Sequence, residues 1–199
     1  MAGYTPELQS KGVTLIELLV VLAIVAVLAA LAATGSGFIS TERVRSTTKE
    51  LLADFQLMRN YAMMQGPDAA ASDLLGYGIR FESKHRYRLF RFNDSNRNFS
   101  YDGAAEEFPL TSGEAAVRQR EIPAPLDLKM KSGGALVDPG NAIVIFDHLG
   151  MPRQANFAVQ QMSIVIQHPD MGEVAKQCVT VSYNRIREGE WDGSACRQQ

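Results

Sequence analysis

Residues 18–39 carry no charge at all, and the single carboxylate at the edge of that run, Glu17, limits what the N-terminal quarter of the chain can become. A charge placed beside a long apolar segment is costly to take out of water unless a partner or a purpose retains it. Glu17 is therefore a candidate functional residue. Residues 13–33 number 21 and, as a helix, extend about 30 Å, the thickness of a bilayer's hydrocarbon core. A membrane-spanning helix over about 13–39 is expected.

The string Lys11-Gly12-Val13-Thr14-Leu15-Ile16-Glu17-Leu18-Leu19 that opens this run closely resembles the class III signal of type IV pilins and pseudopilins. The resemblance implies that a prepilin peptidase removes a leader, 1–12, by cutting between Gly12 and Val13, and methylates the new N-terminal residue, Val13. Glu17 then stands fifth in the mature chain, where the family has its glutamate. A secretory signal peptide would instead put its cleavage site beyond the apolar run and lose that run on processing. Side-by-side packing of greasy helices leaves their axial register undetermined, and one charge supplies a mark. In the family the freed amine, here that of Val13, offsets the carboxylate of Glu17 on a neighbouring subunit, because an unpaired buried charge costs several kcal/mol. Pairing with the amine of its own chain is compatible with the same residues, and a plain one-pass anchor remains the simplest alternative.

Composition bounds the remainder. With 199 residues, 46% hydrophobic and 21% charged, the chain suits one membrane helix and one further domain. The net charge of −2 gives no general attraction to nucleic acid. Thr34-Gly35-Ser36-Gly37 is expected to kink or melt the helix, since glycine costs about 1 kcal/mol against alanine in a helix interior. Helical spacing resumes through Val44, Leu51, Leu52, Phe55, Leu57, Met58, Tyr61, Ala62 and Met63 and stops at Gly66-Pro67. Met58, Met63 and Met64 read as core filling. Strands are expected at 76–81 and 86–92, joined as a hairpin through 82–85, and at 117–122, 126–130, 142–146, 161–167 and 177–183. Residues 93–113 read as a long surface loop. The fold class is α+β: a long N-terminal hydrophobic helix packed on a C-terminal antiparallel β-rich globular domain, with the helix over 13–65 and the head over 66–199.

The aromatic hairpin, the segment Ile145-Phe146-Asp147-His148-Leu149-Gly150-Met151-Pro152, and a last strand ending in Asn184-Arg185-Ile186-Arg187 narrow the resemblance to the FimT/GspH family of minor pilins and pseudopilins. Some members carry Gly-Arg-x-Arg near the C-terminus, a motif linked with DNA binding during uptake. Here Asn184 stands for the glycine while Arg185 and Arg187 match. On a strand, residues at i and i+2 share a face and can meet successive phosphates, but the surrounding segment holds as many acids as bases. Arg80, Lys84, Arg86, Arg88 and Arg91 alternate with aromatics in the hairpin, a pattern open to single-strand binding or to one buried and one wet face.

Cys178 and Cys196, the two cysteines, are expected to form a disulfide in an oxidising periplasm, worth about 3 kcal/mol by loop entropy. Asp94, Asn96, Asn98 and Asp102 place oxygens at alternate positions as calcium loops do, although Phe99 and Ala105 occupy the places of the required glycine and glutamate. No other cofactor is expected. No nucleophile elbow, phosphate loop or paired-carboxylate motif is present, so no enzyme is expected, and Asp147-His148 reads as solvent-facing. The reading is a minor pilin or pseudopilin subunit of a type II secretion system, held in the bacterial inner membrane with a periplasmic head. Its partners are a prepilin peptidase, other pilins or pseudopilins, an inner-membrane assembly platform, and secreted cargo or DNA. A minor type IV pilin with a role in DNA uptake and a simple membrane-anchored binding protein are the alternatives.

Overall fold

The computed structural model of the chain describes residues 14–64, 74–110, 116–172 and 176–198, without the side chains of 31–38 and 74. It divides into two units, Met1–Ile39 and Ser40–Gln199. One helix, α1 (Leu15–Met64), is assigned without interruption. Of the kink or melting expected at 34–37, the melting is corrected: the alanine-rich turns ahead of the glycines favour helix, and a cost of about 1 kcal/mol per glycine is borne locally in a cooperative element of this length.

In the first unit the helix starts at Thr14, whose side-chain oxygen accepts the backbone N–H of Glu17 at 3.3 Å. This is a threonine N-cap with a glutamate three positions on, the pattern of a capping box. Between Leu15 and Leu28, eleven large aliphatic side chains are more than half exposed, on every side of the helix rather than along one stripe. So much uncovered apolar surface requires lipid or other protein to cover it. Among the described residues no helix is long and apolar enough to cross a membrane; the expected span, 13–39, takes in Val13 and the side chains of 31–38, which lie outside the described residues.

In the second unit the helix becomes one-sided. Val44, Leu51, Phe55, Met58 and Ala62 are buried and recur at helical spacing, so they form one stripe. Met63 and Met64 lie off that stripe and are 46% and 83% exposed; of the three methionines expected in the core, only Met58 is there.

Among the described residues twelve strands follow: β1 (Leu74–Ser83), β2 (Arg86–Asn93), β3 (Glu107–Phe108), β4 (Arg118–Glu121), β5 (Asp127–Ser132), β6 (Ala135–Val137), β7 (Ile143–Phe146), β8 (Pro152–Arg153), β9 (Met162–Gln167), β10 (Lys176–Val181), β11 (Ile186–Trp191) and β12 (Cys196–Arg197). They make two antiparallel sheets. The first runs β3-β2-β1-β7-β8, with β4 also on β2; the second runs β12-β11-β10-β9-β5-β6. The expected hairpin is β1–β2, closed tightly around Lys84-His85 with Ser83 opposite Arg86. All the strands expected from the alternation of residues are present, shifted at their ends by a few residues.

Both sheets deliver apolar side chains to the helix stripe. Tyr77, Ile79, Phe81, Tyr87, Leu89, Val144 and Phe146 of the first sheet and Leu128, Ile164, Ile166, Val179 and Val181 of the second belong to one buried cluster with Val44, Leu51, Phe55, Met58 and Ala62. Phe55 lies centrally, 6.3 Å from the ring of Phe81 and 6.4 Å from that of Phe146. The other face of the first sheet is not wet, as the hairpin pattern suggests, but covered. Phe90, Phe92, Ile143 and Ile145 form a second cluster beneath Tyr101, Ala155 and Phe157. The stretch 93–110 is thus a structural cover with a strand of its own, not a free surface loop. Gly78 permits this packing, because a Cβ there would meet the ring of Phe90 at 2.6 Å and the carbonyl oxygen of Val144 at 2.9 Å.

Phe55→Ala removes the residue that all three layers share and should cost about 3–5 kcal/mol. Urea unfolding followed by Trp191 fluorescence checks this; a loss under about 1 kcal/mol would mean the helix is not the keel of the head.

Candidate functional site

Two regions carry the functional residues. At the N-terminal end, Gly12 and Val13 lie outside the described residues. Glu17 is described, and its side chain is exposed. Among the described residues its carboxylate makes no ion pair, while its backbone is committed to the Thr14 cap. The helix begins at Leu15, two residues before this glutamate, so its charge sits on the first turn, where the positive end of the helix dipole favours an anion. The cap is legible in the sequence as Thr14-x-x-Glu17.

The head is held to its helix by a buried polar lock. Asp54, 4% exposed, accepts the phenol O–H of Tyr87 at 2.8 Å and is paired with Arg120 of β4 at 3.2 Å. Glu50 reaches the same arginine at 3.8 Å. Burial, reinforced by the Asp54 carboxylate, pushes the Tyr87 phenol well above its ordinary pKa, and the hydrogen bond to Asp54 raises that of Arg120. Tyr87 and Arg120 thus keep the protons they donate to Asp54.

The basic hairpin is neutralised by its own surroundings. Glu107, 9% exposed, pairs with Arg80 at 2.5 Å and Arg88 at 3.2 Å and accepts the Tyr101 O–H at 2.5 Å. Glu82 takes Arg86 at 2.9 Å and contacts Arg88. Lys84 meets Asp127 at 3.3 Å. Of the five basic residues named in the hairpin, Arg80, Lys84, Arg86 and Arg88 are thereby tied into ion pairs, while Arg91 lies over the ring of Phe108.

The four oxygen-bearing residues proposed for calcium are engaged with one another and with nearby backbone. Asp102 accepts the side-chain amides of Asn96 and Asn98, each at 2.7 Å, and Asp94 accepts the backbone N–H groups of Asn98 and Phe99 at 3.1 and 2.8 Å. They serve as a turn scaffold, and no acidic, histidine or cysteine group that could hold a metal is found among the described residues. Asp147 is not solvent-facing but buried, 3% exposed. Its carboxylate accepts Leu149 and Met151 N–H, each at 2.9 Å, and pairs with Arg153 at 2.6 Å, closing the β7–β8 turn. Gly150, at φ +71°, carries that turn past Arg59 and Met63 of the helix where a Cβ has no room. The segment around Asp147 is therefore a structural corner.

Cys178 and Cys196 are bonded, with Cα atoms 5.8 Å apart and a separation of 18 positions in sequence. Cys178 lies opposite Gly189 on β11, and Cys196 lies beyond it on β12. A Cβ on Gly189 would fall 3.2 Å from the Cys196 sulfur and overlap the Arg197 carbonyl. The bridge crosses β11 at the one residue of that strand without a side chain.

Arg185 and Arg187 are separated by an element boundary. The last strand does not run into them: β10 stops at Val181, the turn 182–185 is closed by the Ser182 N–H to the Arg185 carbonyl at 3.0 Å, and β11 starts at Ile186. The two were expected to share one strand face. Instead Arg185 lines a cleft of about 310 Å³ with Arg59 and Met63 of the helix, and Arg187 lines another of about 480 Å³ with Arg45 and Lys49. The small polar residues Ser182 and Asn184 signal the turn, and β11 was hidden because its Arg-Glu-Gly-Glu stretch has little strand character.

These features agree with what comparison with known proteins finds. Residues 8–33 match the description "Prokaryotic N-terminal methylation motif". Two solved structures of the minor pseudopilin EpsH from the type 2 secretion system of Vibrio cholerae are similar in fold. One has a TM-score of 0.50 at 14% identity, covering 76% of this chain and 99% of that one. The other has a TM-score of 0.48 at 11% identity, covering 74% and 97%. No curated protein matches the chain. Residues 8–33 thus carry an N-terminal methylation motif, and the α+β fold of the chain is similar to that of EpsH.

Tyr87→Phe should cost about 1–3 kcal/mol at neutral pH by leaving Asp54 short of a donor. Because the folded state raises the phenol's pKa above its ordinary value of 10.0, this contribution is complete below pH 10 and fades as pH rises beyond it; denaturation against pH should show a steeper alkaline loss for wild type than for the variant. Gly189→Ala should destabilise by about 1–3 kcal/mol with the cysteines intact, and the cost should shrink in the reduced protein, measured by thermal melts with and without reductant.

Proposed function

We propose that the chain is a minor, non-catalytic subunit of the periplasmic pseudopilus of a type II secretion system, made as a precursor and cleaved between Gly12 and Val13. The reading rests chiefly on one juxtaposition: a matched N-terminal methylation motif over residues 8–33 continues into a helix whose aliphatic surface is uncovered on all sides from Leu15 to Leu28. Such a helix is stored in the inner membrane and then withdrawn into a bundle of like helices, where lipid is exchanged for protein. Glu17 accepts the methylated amine of Val13 on a neighbouring subunit and fixes the register. Within the FimT/GspH group the similarity to EpsH favours secretion over uptake. The head then contacts neighbouring pseudopilins or secreted cargo near the filament tip, and the assembly platform drives insertion.

Glu17→Val keeps the apolar segment and removes the charge. Leaving a buried amine without its carboxylate costs about 3–5 kcal/mol, so the variant should stay in the membrane fraction but lose its crosslinks to other filament subunits. Retention of those crosslinks would favour a simple anchored binding protein. Crosslinked native membranes should yield secretin-channel components and other pseudopilins; recovery of a major pilin with competence proteins would reassign the chain to a type IV pilus, with Arg185 and Arg187 as candidates for contacting DNA.

A further inference from the structure

Three segments distant in the chain meet near the C-terminal end of α1. Gly150, in the β7–β8 corner, packs against the helix so closely that a Cβ on it would stand 2.9 Å from the sulfur of Met63 and 3.0 Å from Nε of Arg59. The carbonyl oxygen of Asn184, in the β10–β11 turn, accepts both terminal nitrogens of Arg59. Each segment leaves a large apolar side chain uncovered beside this meeting point: Met63 of the helix at 46% exposure, Leu149 next to Gly150 at 57%, and Tyr183 next to Asn184 at 61%. The arginine at the centre is held but not satisfied. Its Nε is buried without a hydrogen-bond partner, its terminal nitrogens share one carbonyl at the long distances of 3.4 and 3.5 Å, and it makes no ion pair among the described residues. The cleft of about 310 Å³ that it lines is bordered also by Arg185 and Ile186, and no acidic side chain lines it.

We infer that this surface binds a partner protein through a carboxylate set among apolar side chains. The carboxylate takes the remaining donors of Arg59, whose planar fork matches it bidentately, and the apolar neighbours of that carboxylate cover Met63, Leu149 and Tyr183. Methionine, tyrosine and arginine are enriched where proteins meet, and tyrosine and arginine are among the residues whose loss costs most there. Because Gly150 and Asn184 already hold the guanidinium in place, little side-chain freedom is lost when the carboxylate arrives. Charge selects the occupant. A second copy of this chain docked face to face would set Arg59 and Arg185 against their own like, which is unfavourable across an interface. Nucleic acid would meet Met63 and Leu149, which offer it neither charge nor a ring for a base to stack on. The inference concerns the head alone and holds whichever assembly carries it.

The test uses the full chain in its native host, with Tyr183 replaced by the photocrosslinker p-benzoylphenylalanine and the crosslinked residue on the partner located by mass spectrometry. The expected adduct is with a different protein, at a peptide that carries Asp or Glu beside apolar residues. Arg59→Glu should lower the adduct at least about tenfold in a head whose near-ultraviolet circular dichroism matches wild type, and changing the mapped carboxylate to lysine should restore it. Against a head that keeps Arg59, the same carboxylate-to-lysine change should produce the same loss, a measurement that does not rely on a variant of this chain folding. No adduct, an adduct only with a second copy, with nucleic acid or with lipid, an adduct at a peptide without a carboxylate, or a yield indifferent to these charge changes would each overturn the inference.

Discussion

The head depends on the meeting of Phe55 with the rings of Phe81 and Phe146, because that contact ties the helix to the first sheet at the centre of the cluster that the second sheet also enters. Hydrophobic burial supplies the driving force but not the position, since an aliphatic stripe tolerates sliding along a sheet. Position comes from the Asp54–Tyr87–Arg120 lock, whose hydrogen bonds are satisfied in one alignment. Each of its members stabilises the head chiefly because the other two are present: an aspartate this deeply buried would be destabilising alone. The same division of labour recurs on the opposite face, where Phe90 and Phe92 are covered by a segment that Glu107 and Tyr101 hold in place.

The stretch from Leu15 to Leu28 obeys a different rule. Its aliphatic side chains find no cover among the described residues and are exposed all round, so its free energy is set by whatever surrounds it. Within the chain its carboxylate gains only the favourable field of the first helical turn, so an ion pair for it has to come from an encounter outside the described residues. That is why Glu17, exposed and without an ion pair among the described residues, carries the assembly reading better than any cleft in the head.

Much of this was legible in the sequence. The apolar run with its glutamate, the stripe from Val44 to Ala62, the aromatic hairpin and the cysteine pair all follow from spacing and residue type, signals that local chemistry controls. What escaped the sequence was decided by partners distant in the chain. Asp147 beside His148 reads as polar surface until Arg153 and the turn amides bury it. The hairpin arginines read as a patch until Glu107, which follows them by some twenty residues, reaches them. Strand β11, rich in charge and containing a glycine, has poor strand propensity; β10 pairing and the disulfide that crosses Gly189 make it a strand. Arg185 and Arg187 were separated for the same reason, since the turn between them and β10 is set by Ser182 and Asn184 rather than by any apolar rhythm.

The central claim is that this chain is a processed, filament-forming precursor, and the mass of its N-terminal peptide from native membranes tests it most directly. The expected result is a peptide beginning at Val13 with one methyl group on its amine, and no molecule in the membrane fraction retaining residues 1–12 except as a minor precursor. A fully intact leader, with Met1 to Gly12 still attached to the chain in the membrane, would contradict it.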